Sequence, residues 1–324
     1  MDSGSFAFLK YSPYEIRVNG QVVEGALLTD GVGYSVLHPW TSLGDPSLSS
    51  LLEDLSTQKK HLLVQRSLEL LSLDAQSRLK DESLLPTQSP ASHLFLDLRD
   101  TSVFSKLKSA LNEGIQLFKF KIAFDVDHEI SVFKKIQKEF AQENFKIRLD
   151  ANQRFRSAAP LFQILEAFED SFKSRIDFIE DPFAGSPEEW MSFKEKSALR
   201  IAHDFASKEF RDLCDVWILK PTRNNPWPLV ELALQKNKKL VFTTALDHEL
   251  GQLAALSLAD EVQKKHPLLV EDGGFLSFSE LQGAGTCFSR KGNRLDFESL
   301  RGVGFGCESL LSSLSWQNLR LKNV

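Results

Sequence analysis

The stretch LFKFKIAFD, residues 117–125, alternates large apolar side chains with charged ones. Phe118, Phe120, Ile122 and Phe124 suit one face of a strand. Lys119 and Lys121 share the other, because residues i and i+2 of a strand point the same way. An unpaired ammonium taken out of water is costly. Two of them on one face need anions opposite, and the residues downstream supply candidates.

Working outward, short apolar runs recur between amphipathic helical patterns. They are LFLDL (94–98), LFKFKIA (117–123), FKIRLD (145–150), IDFIE (176–180), LRIAH (199–203), VWILK (216–220), LVFTTA (240–245) and LLVE (268–271). Helical periodicity lies between them, as in DHEISVFKKIQKEFAQEN and SAAPLFQILEAFEDSFKS. Runs spaced by roughly 15–30 residues have the rhythm of βα units. The pattern predicts an α/β fold, a (β/α)8-type TIM barrel, since parallel strands need crossover helices and eight such units close on themselves. A doubly wound open sheet is the alternative, but its Gly-rich first turn is missing.

Upstream, EIRVNGQVVEGALLTDGVGYSVLHPW reads as short strands with a turn at Asn19-Gly20, and residues 46–80 carry a helical leucine pattern. SLLPTQSPAS (83–92) reads as a linker. Past residue 271 the chain is Gly-rich and irregular, and is expected to return across the first domain. The expected division is an α+β capping domain over 1–90, a barrel over 91–271 and a returning segment over 272–324. The run Gly302 to Gly306 opens no βαβ unit and precedes no Lys-Ser/Thr, so it reads as a turn and not a phosphate loop.

With 324 residues, 42% hydrophobic and 26% charged, the chain has an ordinary globular composition and room for a large core. A net charge of −5 argues against a nucleic-acid binder. No run of about 18 apolar residues occurs, so no membrane insertion is expected. The start lacks the pattern of a signal peptide. Cys214, Cys287 and Cys307 include no CxxC pair, which fits a reducing cytoplasm and plain packing, with neither disulfides nor a zinc site. Oligomeric state is open at this level.

In a barrel the chemistry sits at the C-terminal ends of the strands. Lys119 and Lys121 lie on the second expected strand. Asp150 ends the third, Glu180 the fourth, Asp204 follows the fifth and Lys220 ends the sixth. A single carboxylate there is ordinarily a helix cap or surface group, and KFK alone could guard an edge strand. Three carboxylates and three lysines from five consecutive strands are another matter. Three hard oxygen donors suit Mg²⁺. A metal between lysines supports removal of a proton next to a carboxylate, with the metal and a cation stabilising the charge that develops. Burial beside Mg²⁺ and a second ammonium would lower a lysine pKa enough to make it a base.

KFK, RLDANQRF, FIEDPF, IAHDF and WILKPT, spread over about residues 93–250, resemble the muconate-lactonising-type branch of the enolase superfamily. The resemblance implies an enolase-like modified barrel with a capping domain completed by the C-terminal segment. Within the branch, LDANQRF, LKPT and the short N-terminal region are most similar to o-succinylbenzoate synthases of menaquinone biosynthesis. That implies a Mg²⁺-dependent hydro-lyase acting on a small carboxylate, 2-succinyl-6-hydroxy-2,4-cyclohexadiene-1-carboxylate, through an enediolate. Lys121 would be the base, Lys220 the opposing cation and Lys119 the group that tunes the base. Asp150, Glu180 and Asp204 would hold Mg²⁺. Asn152, Thr243, Thr244 and Ala245 would approach the substrate.

Two departures stand out. Phe205 follows Asp204 where many relatives are acidic, and GYSVLHPW lacks the acidic residue of a GWGE-type loop. Asp181 offers a competing carboxylate, but alternation would turn it away if Glu180 points in. The same core would also serve an N-acylamino acid racemase or dipeptide epimerase, whose relatives often carry Asp-x-Asp after the eighth strand. LLVEDGG lacks that spacing. A barrel that only binds a ligand is the non-enzymatic alternative.

Overall fold

A parallel sheet with strands abreast in chain order is the frame of the molecule. The computed structural model describes residues 8–18, 20–204, 208–276, 281–282 and 288–320, so Asn19, Phe205 and Cys287 lie outside the described residues. The strands are β1 (Leu9–Val18), β2 (Gln21–Thr29), β3 (Tyr34–Leu37), β4 (Leu94–Asp97), β5 (Leu117–Lys121), β6 (Lys146–Asp150), β7 (Ile176–Glu180), β8 (Ile201–His203), β9 (Val216–Leu219), β10 (Lys239–Thr243), β11 (Val270–Gly274), β12 (Leu281–Gln282), β13 (Ser289–Lys291), β14 (Arg294–Asp296) and β15 (Gln317–Leu319). The helices are α1 (Leu48–Ser56), α2 (Leu62–Leu79), α3 (Val103–Asn112), α4 (Val126–Glu139), α5 (Ala159–Glu166), α6 (Asp170–Lys173), α7 (Pro187–Ser197), α8 (Lys208–Leu213), α9 (Trp227–Gln235), α10 (Glu249–Lys265) and α11 (Glu308–Ser312).

β4 to β11 form one eight-stranded sheet. All eight expected runs are strands, with only their ends shifted by a few residues. The two edges meet at a single bridge between Ser92 and Gly273, where the Gly273 N–H donates to the Ala91 carbonyl (2.7 Å) and the His93 N–H to the Gly273 carbonyl (2.9 Å). The sheet is therefore a nearly closed barrel. Glycine is required at this seam, since a Cβ on Gly274 would lie 2.8 Å from the His93 ring and 2.8 Å from Thr243 Cγ2.

The alternation of β5 sorts its side chains as expected. Phe118 and Phe120 are fully buried outside the sheet, against Phe145 and Phe133, and each such burial stabilises by about 2–3 kcal/mol. Lys119 and Lys121 occupy the opposite face. A small apolar cluster of Phe178, Ala202, Val216, Ile218 and Val241 fills part of the interior. The helices outside are capped by sequence. Asp125 accepts from the His128 N–H at the start of α4, and Ser186 with Glu189 forms a capping box on α7.

The N-terminal strands pair antiparallel in the order β1-β2-β3, and α1 and α2 pack on them through Leu51, Leu55, Leu63 and Leu71. The leucine pattern over 46–80 is two helices, interrupted where Gln58 takes a left-handed φ of 56°. β12 and β15 both pair with β1, so the C-terminal chain returns to this sheet. Residues 83–92 are clasped by it. Ser89 and Ser92 are buried, the Leu84 N–H donates to the Gly304 carbonyl, and the Arg301 guanidinium donates to the carbonyls of Pro86 and Thr87. Gly304 is a tight turn against α2. A Cβ there would fall 2.1 Å from Asp74 Oδ1, which accepts from the Phe305 N–H.

Candidate active site

The register of the barrel brings the chemistry together. Lys121 pairs with Asp150 across β5 and β6, and Asp150 pairs with Glu180 across β6 and β7. Three functional side chains therefore stand abreast at the C-terminal rim. Asp204 follows β8, and Lys220 follows β9.

Lys119 is one step deeper. Its ammonium lies 2.8 Å from Asp150 Oδ2 and 2.8 Å from each carboxylate oxygen of Glu180. Burial opposes that charge most strongly, yet Asp150 and Glu180 outweigh it and hold the Lys119 pKa above its ordinary value. Lys121 has no such partner among the described residues. Burial lowers its pKa; Asp150 opposes this, while the ammonium groups of Lys119 and Lys220 add to the lowering. The Lys220 ammonium is hydrogen-bonded to Asp204 Oδ2.

The carboxylates crowd one another. Oxygens of Glu180, Asp181 and Asp204 lie within 4.8 Å of one another. Burial, and next the neighbouring Asp150 charge, push the Glu180 carboxyl up to about 8 against the pull of Lys119. Four carboxyl groups, those of Asp150, Glu180, Asp181 and Asp204, are thus gathered around the Lys119 and Lys220 ammonium groups. Such a set of hard oxygen donors fits a divalent cation.

Asp181 departs from the alternation argument. β7 ends at Glu180, and Asp181 turns with a left-handed φ of 46°, so the two-residue period no longer applies to it. Its carboxylate is fully buried, accepts from the Asp204 N–H, and lies 2.7 Å from His203 Nδ1. It stands behind Asp204 and fixes the end of β8. The sequence carries no motif for the His203 contact beyond the adjacency of His203 to Asp204.

Asn152 is half-buried at φ 48°, and its backbone N–H donates to Asp150 Oδ1 (3.1 Å), so its observed contact holds Asp150 in place. Thr243, Thr244 and Ala245 are buried at the end of β10. The Ala245 carbonyl accepts from Trp40 Nε1 (2.8 Å), and Asp45 meets the Arg223 guanidinium at 2.8 Å. Both contacts join the N-terminal layer to the barrel rim. Asp97 is abreast of Lys121, but its carboxylate is taken by Arg99.

The opposite end of the barrel carries a different network. Arg148 is buried and binds Asp177, His93 Nδ1 and the Asp272 carbonyl. Arg200 bridges Asp177 and Glu271. Glu271 thus belongs to the N-terminal end of the barrel, and Asp272 is exposed.

Residues 9–77 match the family described as the o-succinylbenzoate synthase N-terminal domain. Over 342 aligned positions the chain is 25% identical to an o-succinylbenzoate synthase of Bdellovibrio bacteriovorus, covering 97% of this chain and 99% of that protein. Among solved structures, the muconate lactonizing enzyme of Pseudomonas putida has a TM-score of 0.69 at 16% identity, over 94% of this chain and 98% of that one. A dipeptide epimerase of Enterococcus faecalis has a TM-score of 0.72 at 15% identity, over 92% of this chain and 98% of that one. The barrel with its N-terminal antiparallel layer is the fold shared with these solved structures. No helix among the described residues is long and apolar enough to cross a membrane.

Proposed function

We propose that this chain, which resembles the o-succinylbenzoate synthases in its capping residues and along its length, dehydrates 2-succinyl-6-hydroxy-2,4-cyclohexadiene-1-carboxylate to o-succinylbenzoate and water. The observation that carries the reading is Lys121: a half-buried amine with a depressed pKa, abreast of Asp150 and Glu180 and facing the charge of Lys220. Asp150, Glu180 and Asp204 would hold Mg²⁺, with Asp181 behind them. When bound, the ion supplies Lewis-acid stabilisation of negative charge on the substrate carboxylate.

Lys121 removes the proton alpha to the ring carboxylate, and the C–H electron pair moves toward that carboxylate. Lys121, now protonated, returns a proton to the 6-hydroxyl on the same face. The C–O bond breaks, water leaves and the ring becomes aromatic. Lys220 presents its cation to the opposite face and opposes the build-up of negative charge. Lys119 keeps Asp150 and Glu180 fixed and keeps a positive charge beneath Lys121. Asn152, Thr243, Thr244 and Ala245 line the approach to the substrate. We assign the chain's capping role to residues 1–90, the chemistry to 91–271 and completion of the cap to 272–324, in a cytoplasmic menaquinone-pathway enzyme.

Epimerisation of dipeptides or N-acylamino acids would use the same lysines, because the site sets up proton removal and the pocket selects the fate of the resulting enediolate. Here Glu271 and Asp272 lie within β11 and toward the N-terminal end of the barrel, where Glu271 is held by Arg200 and Asp272 is exposed, so this pair does not serve such a pocket. Purified protein should aromatise the cyclohexadiene substrate, followed by ultraviolet absorbance. Robust α-proton exchange on acylated amino acids or dipeptides in D₂O, with no aromatisation, would reverse the assignment.

A further inference from the structure

Arg66 lies on α2, in the N-terminal layer, and is only 6% exposed. Burial lowers its pKa, with Glu69 opposing. A guanidinium in such a place is expensive, and an apolar side chain of similar volume would ordinarily pack there at less cost. Its Nη1 donates to the half-exposed Glu69 (2.7 Å), one turn along the same helix. Its Nε crosses to the barrel and donates to the Pro221 carbonyl at 2.6 Å.

Pro221 immediately follows Lys220. The turn after β9 is closed on the Lys220 carbonyl, which accepts from the N–H groups of Arg223 (2.9 Å) and Asn224 (3.1 Å). The turn therefore satisfies the Lys220 carbonyl by itself, whereas the Pro221 carbonyl points to the capping layer and is met by Arg66. The same turn is gripped a second time, by the pair of Asp45 and Arg223. Two residues of the capping layer thus fasten the segment that delivers Lys220.

We propose that Arg66 is a positioning residue for Lys220. By fixing the Pro221 carbonyl, α2 sets the direction in which the chain leaves β9, and with it the place of the Lys220 ammonium beside Asp204. This deepens the proposed dehydration chemistry and rests on the role of Lys220 in it. It makes the capping layer part of the placement of a catalytic cation and not only a cover.

The test is a double-mutant cycle with Arg66→Met and Lys220→Met. Arg66→Met is expected to lower kcat about 10- to 100-fold, the scale of a misplaced catalytic group, with KM within about twofold. In the Lys220→Met background it should cost nothing more. Arg66→Lys, which keeps a charged donor, should recover part of the loss. An unchanged kcat, or an equal loss with and without Lys220, would overturn the proposal. Should Arg66→Met fail to fold, Arg66→Lys and Arg66→Gln enter the same cycle. A readout independent of turnover is the ¹³C resonance of reductively methylated Lys220, assigned by its disappearance in Lys220→Met. It should move in the Arg66 variants while the Lys119 resonance stays, and an unmoved Lys220 signal counts against the proposal. If the parent protein does not aromatise the substrate, the functional reading fails, and this resonance still decides the positioning.

Discussion

Lys119 and Lys121 stand two residues apart on one face of β5, and their surroundings drive them in opposite directions. Lys119 is held between Asp150 and Glu180, and its pKa rises. Lys121 is half-buried without such a pair, and its pKa falls. One strand thus offers a fixed cation and, directly above it, an amine able to take a proton.

Lys121→Ala should abolish turnover, by at least about 10³-fold, since no other group stands in its place. Stability should be unchanged or slightly higher. A lysine with a depressed folded-state pKa costs stability while it is charged, below that pKa, so its removal relieves a penalty at neutral pH. Turnover and thermal midpoint measured on the same preparation check both halves. A near-normal rate would remove Lys121 from the role of base.

Lys119→Met should act the other way. Asp150 and Glu180 lose the cation between them, and breaking a buried pair costs about 3–5 kcal/mol. The loss should be largest in EDTA and smaller with saturating Mg²⁺, which would supply the missing charge. Thermal melts with and without Mg²⁺ read this directly. Equal destabilisation in both conditions would show that no divalent ion binds beside Lys119.

EDTA should stop turnover of the parent protein, and Mg²⁺ should restore it. Binding to the folded state alone adds about 2.7 kcal/mol at 100 times Kd. A Mg²⁺-dependent rise in melting temperature should therefore accompany the activity and disappear in Asp204→Ala. Full activity after exhaustive chelation would contradict the assigned ligand set.

Asp247 is fully buried, and burial pushes its carboxyl up to about 6 against the Thr222 hydroxyl and the charges of Arg223 and Lys220. A carboxyl raised on folding binds more protons in the folded than in the unfolded chain between about pH 4 and 6. Stability therefore falls as pH rises through that window, and the cost is complete above about pH 6. Asp247→Asn should gain on the order of 2–3 kcal/mol at pH 7.5 and almost nothing at pH 4. Urea unfolding at several pH values measures the difference; a gain independent of pH would point to packing instead.

The barrel was legible because its strands are short apolar runs separated by helical periodicity, each bounded by polar residues. The rim was legible for a related reason: Asp150 and Glu180 end their runs, and the parallel register sets them abreast of Lys121. Asp181 escaped because alternation stops where the strand stops and φ turns positive. The contacts of Arg66 with Pro221 and of Arg148 with His93 join residues 155 and 55 positions apart, and no local period carries such information. Residues 83–92 have the composition of a linker, yet their polar side chains and carbonyls are occupied by the barrel seam and by Arg294 and Arg301. Composition reports what a segment can tolerate, and of its partners here Arg294 and Arg301 lie more than two hundred residues further along the chain.

The seam between Ser92 and Gly273 has a consequence for how the molecule breathes. Among the described residues, seven of the contacts around the ring are ladders between neighbouring strands, and the eighth is one bridge with two backbone hydrogen bonds and a third from the Phe275 N–H to Ser92 Oγ. Opening there breaks one bridge, against five paired positions between β5 and β6, so the ring should part at the seam before that ladder. The amide protons of His93 and Gly273 are then expected to exchange with deuterium well ahead of those of Phe120 and Leu149. If they exchange together, the ring yields as a unit and the seam is as firm as the ladders.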